Sequence, residues 1–175
     1  VARNFIQEDF NLLYPRSDSL WALSERQLPN PNRYFMNEFP LYNAGVALIY
    51  KYYGINHVYG RMLSIAVSAL GALYLYLLVK NLLGFNYAIT SLLYYSLLPF
   101  NIYYNRVFMP DPSFVAFSII TLYYGVRFAK SARVGHGLLM ALTFALASLI
   151  KPYAIFMLIP LGYWILLTRG QSVLR

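Results

Sequence analysis

Cysteine is absent from the 175 residues. That excludes disulfide staples and thiolate metal sites, and it leaves the compartment open, because a polytopic membrane chain needs no such staples. Charge is scarce as well: 11% of residues are charged and only six are acidic, against 59% that are hydrophobic. A water-soluble domain carries about a quarter of its residues as charges, so the composition indicates the membrane class before any motif is read. The two histidines, His57 and His136, stand far apart with no second histidine at ligand spacing, and they read as interfacial polar residues. No glycine-rich phosphate loop is present, so no nucleotide fold and no nucleotide cofactor are expected. Repeats of fixed period and low-complexity tracts are missing too. The chain opens on Val1 with no basic leader ahead of Arg3-Asn4-Phe5, and it is read as an internal piece of a longer protein.

A net charge of +8 invites a nucleic-acid partner, but its distribution argues against one. Five of the six acidic residues, Glu8, Asp9, Asp18, Glu25 and Glu38, lie in the first 38 positions, while the basic residues mark the ends of apolar runs. That is the pattern of membrane topology signals.

Residues 1–56 form a polar zone with prolines at 15, 29, 31 and 40. Apolar spacing at Phe5, Ile6, Phe10, Leu12 and Leu13 predicts a short helix on the membrane surface, and Pro40 to Tyr53 predicts a second. Pro29-Asn30-Pro31-Asn32 reads as a loop between them. From residue 57 to 175 a transmembrane bundle is expected, built from Met62–Val79, Asn86–Tyr104, Pro112–Val126, Gly135–Ile150 and Pro152–Thr168. The last two are short for a bilayer of about 30 Å. The fold class is therefore an all-α polytopic membrane protein with about five transmembrane helices after an external loop.

Lys80, then Arg127, Lys130 and Arg133, then Arg169 and Arg175 fall on one side if the helices alternate, which makes that side cytoplasmic. Glu38, Arg106, Asp111 and Lys151 then share the external face, with Arg61 just inside the first membrane helix. Arg106-Val107-Phe108-Met109-Pro110-Asp111-Pro112 is the tip of an apolar hairpin, between uncharged runs of 25 and 15 residues. Burying either charge in hydrocarbon costs roughly 2.5–3.5 kcal/mol on the insertion scale, so the tip belongs at the boundary. Cations beside carboxylates there suit a substrate that is half lipid and half polar.

Each of these residues also has a plainer role. Asp111 before Pro112 makes a good helix N-cap, accepting from the amide of Ser113 or Phe114, and local chemistry alone favours cap over catalyst. Arg106 can snorkel to headgroups. Glu38 can be a solvated loop acid, with Asn37 capping the surface helix. Lys151, between two apolar runs, is harder to assign to solvation, although snorkelling rivals a site role.

Four motifs occur in one order with matching gaps: Asn37-Glu38-Phe39-Pro40-Leu41-Tyr42; Tyr59-Gly60-Arg61-Met62-Leu63-Ser64; Leu98-Pro99 followed by Arg106 to Asp111; and Leu149-Ile150-Lys151-Pro152. Together they resemble the amino-terminal half of the GT-C type membrane glycosyltransferases, the relatives of protein O-mannosyltransferases and of aminoarabinose transferase. Ala2-Arg3-Asn4-Phe5 and Asn11-Leu12-Leu13-Tyr14-Pro15 resemble the first external loop of bacterial and archaeal members. The resemblance implies transfer of a monosaccharide from a polyprenyl-phosphate carrier to a lipid, glycan or protein acceptor. The setting it implies is the plasma membrane of a bacterium or archaeon, with the active face extracytoplasmic.

By the same resemblance Glu38 lines the cavity and can touch a divalent cation, Asp111 starts the family's fourth membrane helix, and Arg106 precedes it. Lys151 then stands near the carrier phosphate, while Arg61 and Tyr42, inside the matching motifs, are taken as substrate contacts. The family's acidic residue usually regarded as general base has no comfortable match in Glu8 or Asp9 and is expected upstream of Val1, so this piece alone is not expected to be active. The competing readings are a transporter, which needs ionisable residues at the bilayer midplane, and a non-catalytic membrane scaffold.

Overall fold

The computed structural model describes residues 1–18, 30–35 and 37–173. Glu25, Pro29 and Arg175 of the sequence reading lie outside the described residues. The helices are α1 (Asn4–Gln7), α2 (Leu41–Tyr53), α3 (His57–Leu83), α4 (Phe85–Leu97), α5 (Pro99–Tyr104), α6 (Asp111–Ser131), α7 (Val134–Ile150) and α8 (Leu158–Val173). A 3-10 segment, Pro152–Met157, leads into α8. Among the described residues there is no strand, only an isolated bridge between Arg16 and Tyr34.

Three stretches are long and apolar enough to cross a membrane: His57–Leu83, Asp111–Ser131 and Pro152–Arg169, with Val134–Ile150 a shorter apolar helix. The protein is an all-α membrane protein. The expected span over 86–104 is instead broken into α4 and α5 at Leu98-Pro99. Pro99 has no N–H to give the carbonyl of Tyr95 one turn earlier. The side chain of Asn101 takes over that duty, its Nδ2 donating to Tyr95 O at 2.9 Å.

Because α4 and α5 form the return stroke, α3 and α6 run parallel. Gly71 meets Ala116 near the middle, and Lys130 Nζ donates to Asn81 O and Oδ1 at the far end. Gly60, Ser64, Ser68 and Gly71 line the buried face of α3. Small residues at that spacing let helix backbones approach where lipid removes the hydrophobic drive between helices. A Cβ on Gly71 would lie 3.1 Å from both Cα and Cβ of Ala116, so the two helices touch there almost backbone to backbone. On the other flank of α6, α7 runs antiparallel to it, and Thr121 Oγ1 donates to Thr143 Oγ1 at 3.0 Å between them.

The amino-terminal zone is mostly irregular, and its expected first surface helix shrinks to the single turn of α1. It is held by ion pairs: Glu8 with Arg33 at 2.6 Å and Arg16 at 3.3 Å, and Asp18 with Arg3 at 2.6 Å. Glu8 and Asp18 are thereby committed to the loop's own architecture. The second surface helix forms as α2, whose Tyr42, Val46 and Tyr50 pack with Tyr59, Leu63 and Phe108.

Candidate active site at one end of the bundle

Lys151 sits between α7 and the 3-10 segment with an extended backbone, φ −138° and ψ 110°. The following Pro152 disfavours its helical conformation, and α7 ends at Ile150. Its Nζ donates to Glu38 Oε1 and lies 3.6 Å from Asp111 Oδ1. Residues 113 and 40 positions away in sequence are thus drawn onto one ammonium. The Lys151 side chain is only 17% exposed, Glu38 24% and Asp111 39%. The hydrogen bond that the Lys151 ammonium donates to Glu38 holds its pKa above the ordinary lysine value. Burial works against this, and the charges of Asp111 and Glu38 add to the increase.

Two local expectations are corrected. Asp111 is not the cap of α6: Pro110 takes that position with helical angles, and the amides of Ser113 and Phe114 both reach the Pro110 carbonyl. The Asp111 carboxylate is left free to face Lys151, with the positive helix end favouring its charge. Asn37 does not cap α2, which starts after Pro40 without a side-chain cap.

Arg106 does not join the trio. It shares a cavity of about 550 Å³ with Arg61, Ile65, Tyr103 and Val107. Among the described residues neither arginine forms an ion pair with a carboxylate. Ile65 and Arg106 also line a neighbouring cavity of about 520 Å³ that runs along Ala69, Ala72, Leu73 and Leu92, between α3 and α4. A third cavity, about 340 Å³, opens beside Asp111 and is lined by Tyr95, Asn101, Asn105, Phe114 and Tyr153 among others. Tyr95, Asn101 and Asn105 are common to the last two. Asp111 and the two arginines therefore sit at either end of one grooved face.

Tyr42, expected at the substrate, is 5% exposed, with its hydroxyl turned into the protein against Gly60 and Ser64. Asn101 and Asn105 were not singled out from sequence, and Tyr95 and Tyr153 read there only as tyrosines of an interfacial belt near segment ends. The i, i+4 asparagine pair inside an uncharged run, and a tyrosine two places after Lys151, were the available signals.

A divalent cation at Glu38 would need about six oxygen ligands. Among the described residues no group of three or more metal-binding side chains occurs, and Lys151 fills the space between the two carboxylates. Among the described residues this donor set does not fit a resident divalent ion.

A family model described as dolichyl-phosphate-mannose-protein mannosyltransferase matches residues 37–175. The chain belongs to this family. Comparison with curated proteins and with solved structures found no match. Membership in the mannosyltransferase family makes this a chain of a membrane glycosyltransferase of the GT-C type. The family match begins at Asn37, so it takes in Glu38, Tyr42, Arg61, Arg106, Asp111 and Lys151 and leaves out the ion-paired loop before them.

Proposed function

We propose that the protein transfers a monosaccharide from a polyprenyl-phosphate carrier to an acceptor hydroxyl on the extracytoplasmic face of the plasma membrane. The observation that carries this reading is the meeting of Glu38 and Asp111 on Lys151, beside a cavity that continues towards two arginines lacking carboxylate partners. One ammonium between two carboxylates leaves a net negative charge, which makes the trio a poor anchor for phosphate. Arg61 and Arg106 supply the positive charge instead. Their cavity leads into the apolar groove between α3 and α4, where a prenyl chain can lie.

In the reaction the acceptor oxygen forms a bond to the anomeric carbon as the bond to the carrier phosphate breaks, and polyprenyl phosphate leaves with the electron pair. The proton of the acceptor hydroxyl goes to a carboxylate; within this chain the better placed one is Asp111, the more exposed of the pair. The arginines meet the charge that grows on the leaving phosphate, a preorganised contact of the kind worth about 2.7–4 kcal/mol in the oxyanion case. Lys151 keeps both carboxylates oriented.

The test uses the full-length protein in membranes with a polyprenyl-phosphate-linked sugar. Asp111→Asn and Lys151→Ala are each expected to lower kcat by about a hundredfold or more, the scale of a lost general base. Near-parental turnover in both variants would reject this reading in favour of a transporter or scaffold.

A further inference from the structure

Glu38, Asp111 and Lys151 come from three separate places in the chain, and none of them makes its own anchor. Glu38 lies in the short loop before α2, without a capping role. Asp111 opens α6 directly after the turn of residues 105–110. What joins these two carriers is a set of buried hydroxyls. The Tyr42 hydroxyl, from α2, donates to the carbonyl of Gly60 at 2.7 Å and lies 2.8 Å from Ser64 Oγ. Ser64, from α3 and fully buried, donates onward to the carbonyl of Val107 at 2.9 Å.

Two hydroxyl protons are thus shared over three contacts, and the end of the relay is the residue just after Arg106. The next residue, Phe108, is fastened from the other side. Its ring stands edge-on to Tyr42 with centroids 5.5 Å apart and lies so close to Gly60 that a Cβ there would be 2.0 Å from Phe108 Cε2. Glycine at 60 is required for this contact.

We propose that Tyr42 and Ser64 are positioning residues for sugar transfer, holding Glu38 and Asp111 against Lys151 through the hydroxyl relay that ties α2 and α3 to the hairpin turn. The proposal rests on the glycosyl-transfer reading for its kinetic consequence but not for its geometry. Loosening the relay frees the turn that sets Asp111 and the helix that sets Glu38, so both carboxylates drift from the ammonium. The raised pKa of Lys151, caused chiefly by Glu38, then relaxes towards the ordinary lysine value.

Tyr42→Phe and Ser64→Ala test this in the full-length protein. Each removes a hydroxyl and keeps the packing, since phenylalanine preserves the edge contact with Phe108. Two readouts are taken: sugar transfer, and the rate at which an amine-acylating reagent modifies Lys151, followed by mass spectrometry. At about pH 9, below the lysine pKa, the free-amine fraction rises in direct proportion to the acid dissociation constant as the Lys151 pKa relaxes downward. Acylation of Lys151 is therefore expected to quicken in both variants, with Glu38→Gln as the positive control. kcat is expected to fall between about tenfold and a hundredfold, the scale of small misplacement at a reacting centre, with KM for the carrier-linked sugar unchanged.

Unchanged acylation in both variants overturns the relay. Faster acylation with parental turnover overturns its role in positioning for catalysis. A parent protein that transfers no sugar, with variants that still acylate faster, would sink the glycosyl-transfer reading and leave the relay standing.

Discussion

Lys151 is the residue on which the site depends, and its chemistry is set by what surrounds it rather than by its place between two apolar runs. A lysine there could have snorkelled to headgroups, and the sequence left that open. Instead it is partly buried against two acids, and removing it leaves two carboxylates facing each other. Lys151→Met is expected to cost about 1–2 kcal/mol, less than a fully buried pair would because Asp111 is 39% exposed and screened by water. The pH dependence has a definite sign. The folded pKa of Lys151 lies above its unfolded value, about 10.4, so its contribution is complete below that pH and is lost as pH rises through the raised folded value. Thermal unfolding of parent and Lys151→Met should differ by a constant amount from about pH 7 to about pH 10 and converge above it. A gap that stays unchanged far above about pH 10, where the ammonium has lost its proton, would contradict the assignment. Asp111 teaches the complementary lesson. Pro-Asp-Pro permits the cap at either 110 or 111, and only the backbone angles of Pro110 place it one residue early and release the carboxylate.

Among the elements, α4 and α5 are the least legible from pattern alone. An uncharged run long enough to span reads as one helix, yet Leu98 is extended at φ −63° and ψ 121° and Pro99 restarts the helix. Within a membrane the orphaned Tyr95 carbonyl must find a donor, because water is absent there. Asn101 provides it, which explains a polar residue in an otherwise greasy segment. Asn101→Leu should therefore destabilise the protein by about 1–3 kcal/mol, the cost of an unsatisfied buried acceptor, despite increasing hydrophobicity. Thermal unfolding in detergent checks this; a variant as stable as the parent would show that the carbonyl finds another donor. The same asparagine lines both the cavity at Asp111 and the groove towards Arg106, so a backbone repair also shapes the site.

Across the whole molecule, charge is sorted to the two ends of the bundle. Glu38, Asp111 and Lys151 share one end, and Lys80, Lys130 and Arg133 follow the helix directions to the other. By the positive-inside rule the second end is expected to be the cytoplasmic one, which the proposed function requires. Single cysteines at Asn56 and Ala132, in a cysteine-free background, should report this with a membrane-impermeant maleimide on intact cells. Asn56→Cys is expected to label from outside and Ala132→Cys only after permeabilisation; the reverse pattern would put the site on the cytoplasmic face.

The sequence by itself determined the class of the protein, because apolar runs near bilayer length and a shortage of charge leave few alternatives to a helical membrane bundle. It also nominated Asp111 and Lys151, since an ionisable group at the end of an apolar run needs a reason to be there, while Glu38 was added by its place on the same face and by the family resemblance. Which of those residues meet was decided only by tertiary structure. The parallel packing of α3 with α6, the close of α7 at Lys151-Pro152 and the buried hydroxyls of Tyr42 and Ser64 bring Glu38 and Asp111 to one lysine and send Arg106 to Arg61. Contact between residues far apart in the chain depends on helix direction and rotation, and these are fixed by side chains on neighbouring helices rather than by local sequence.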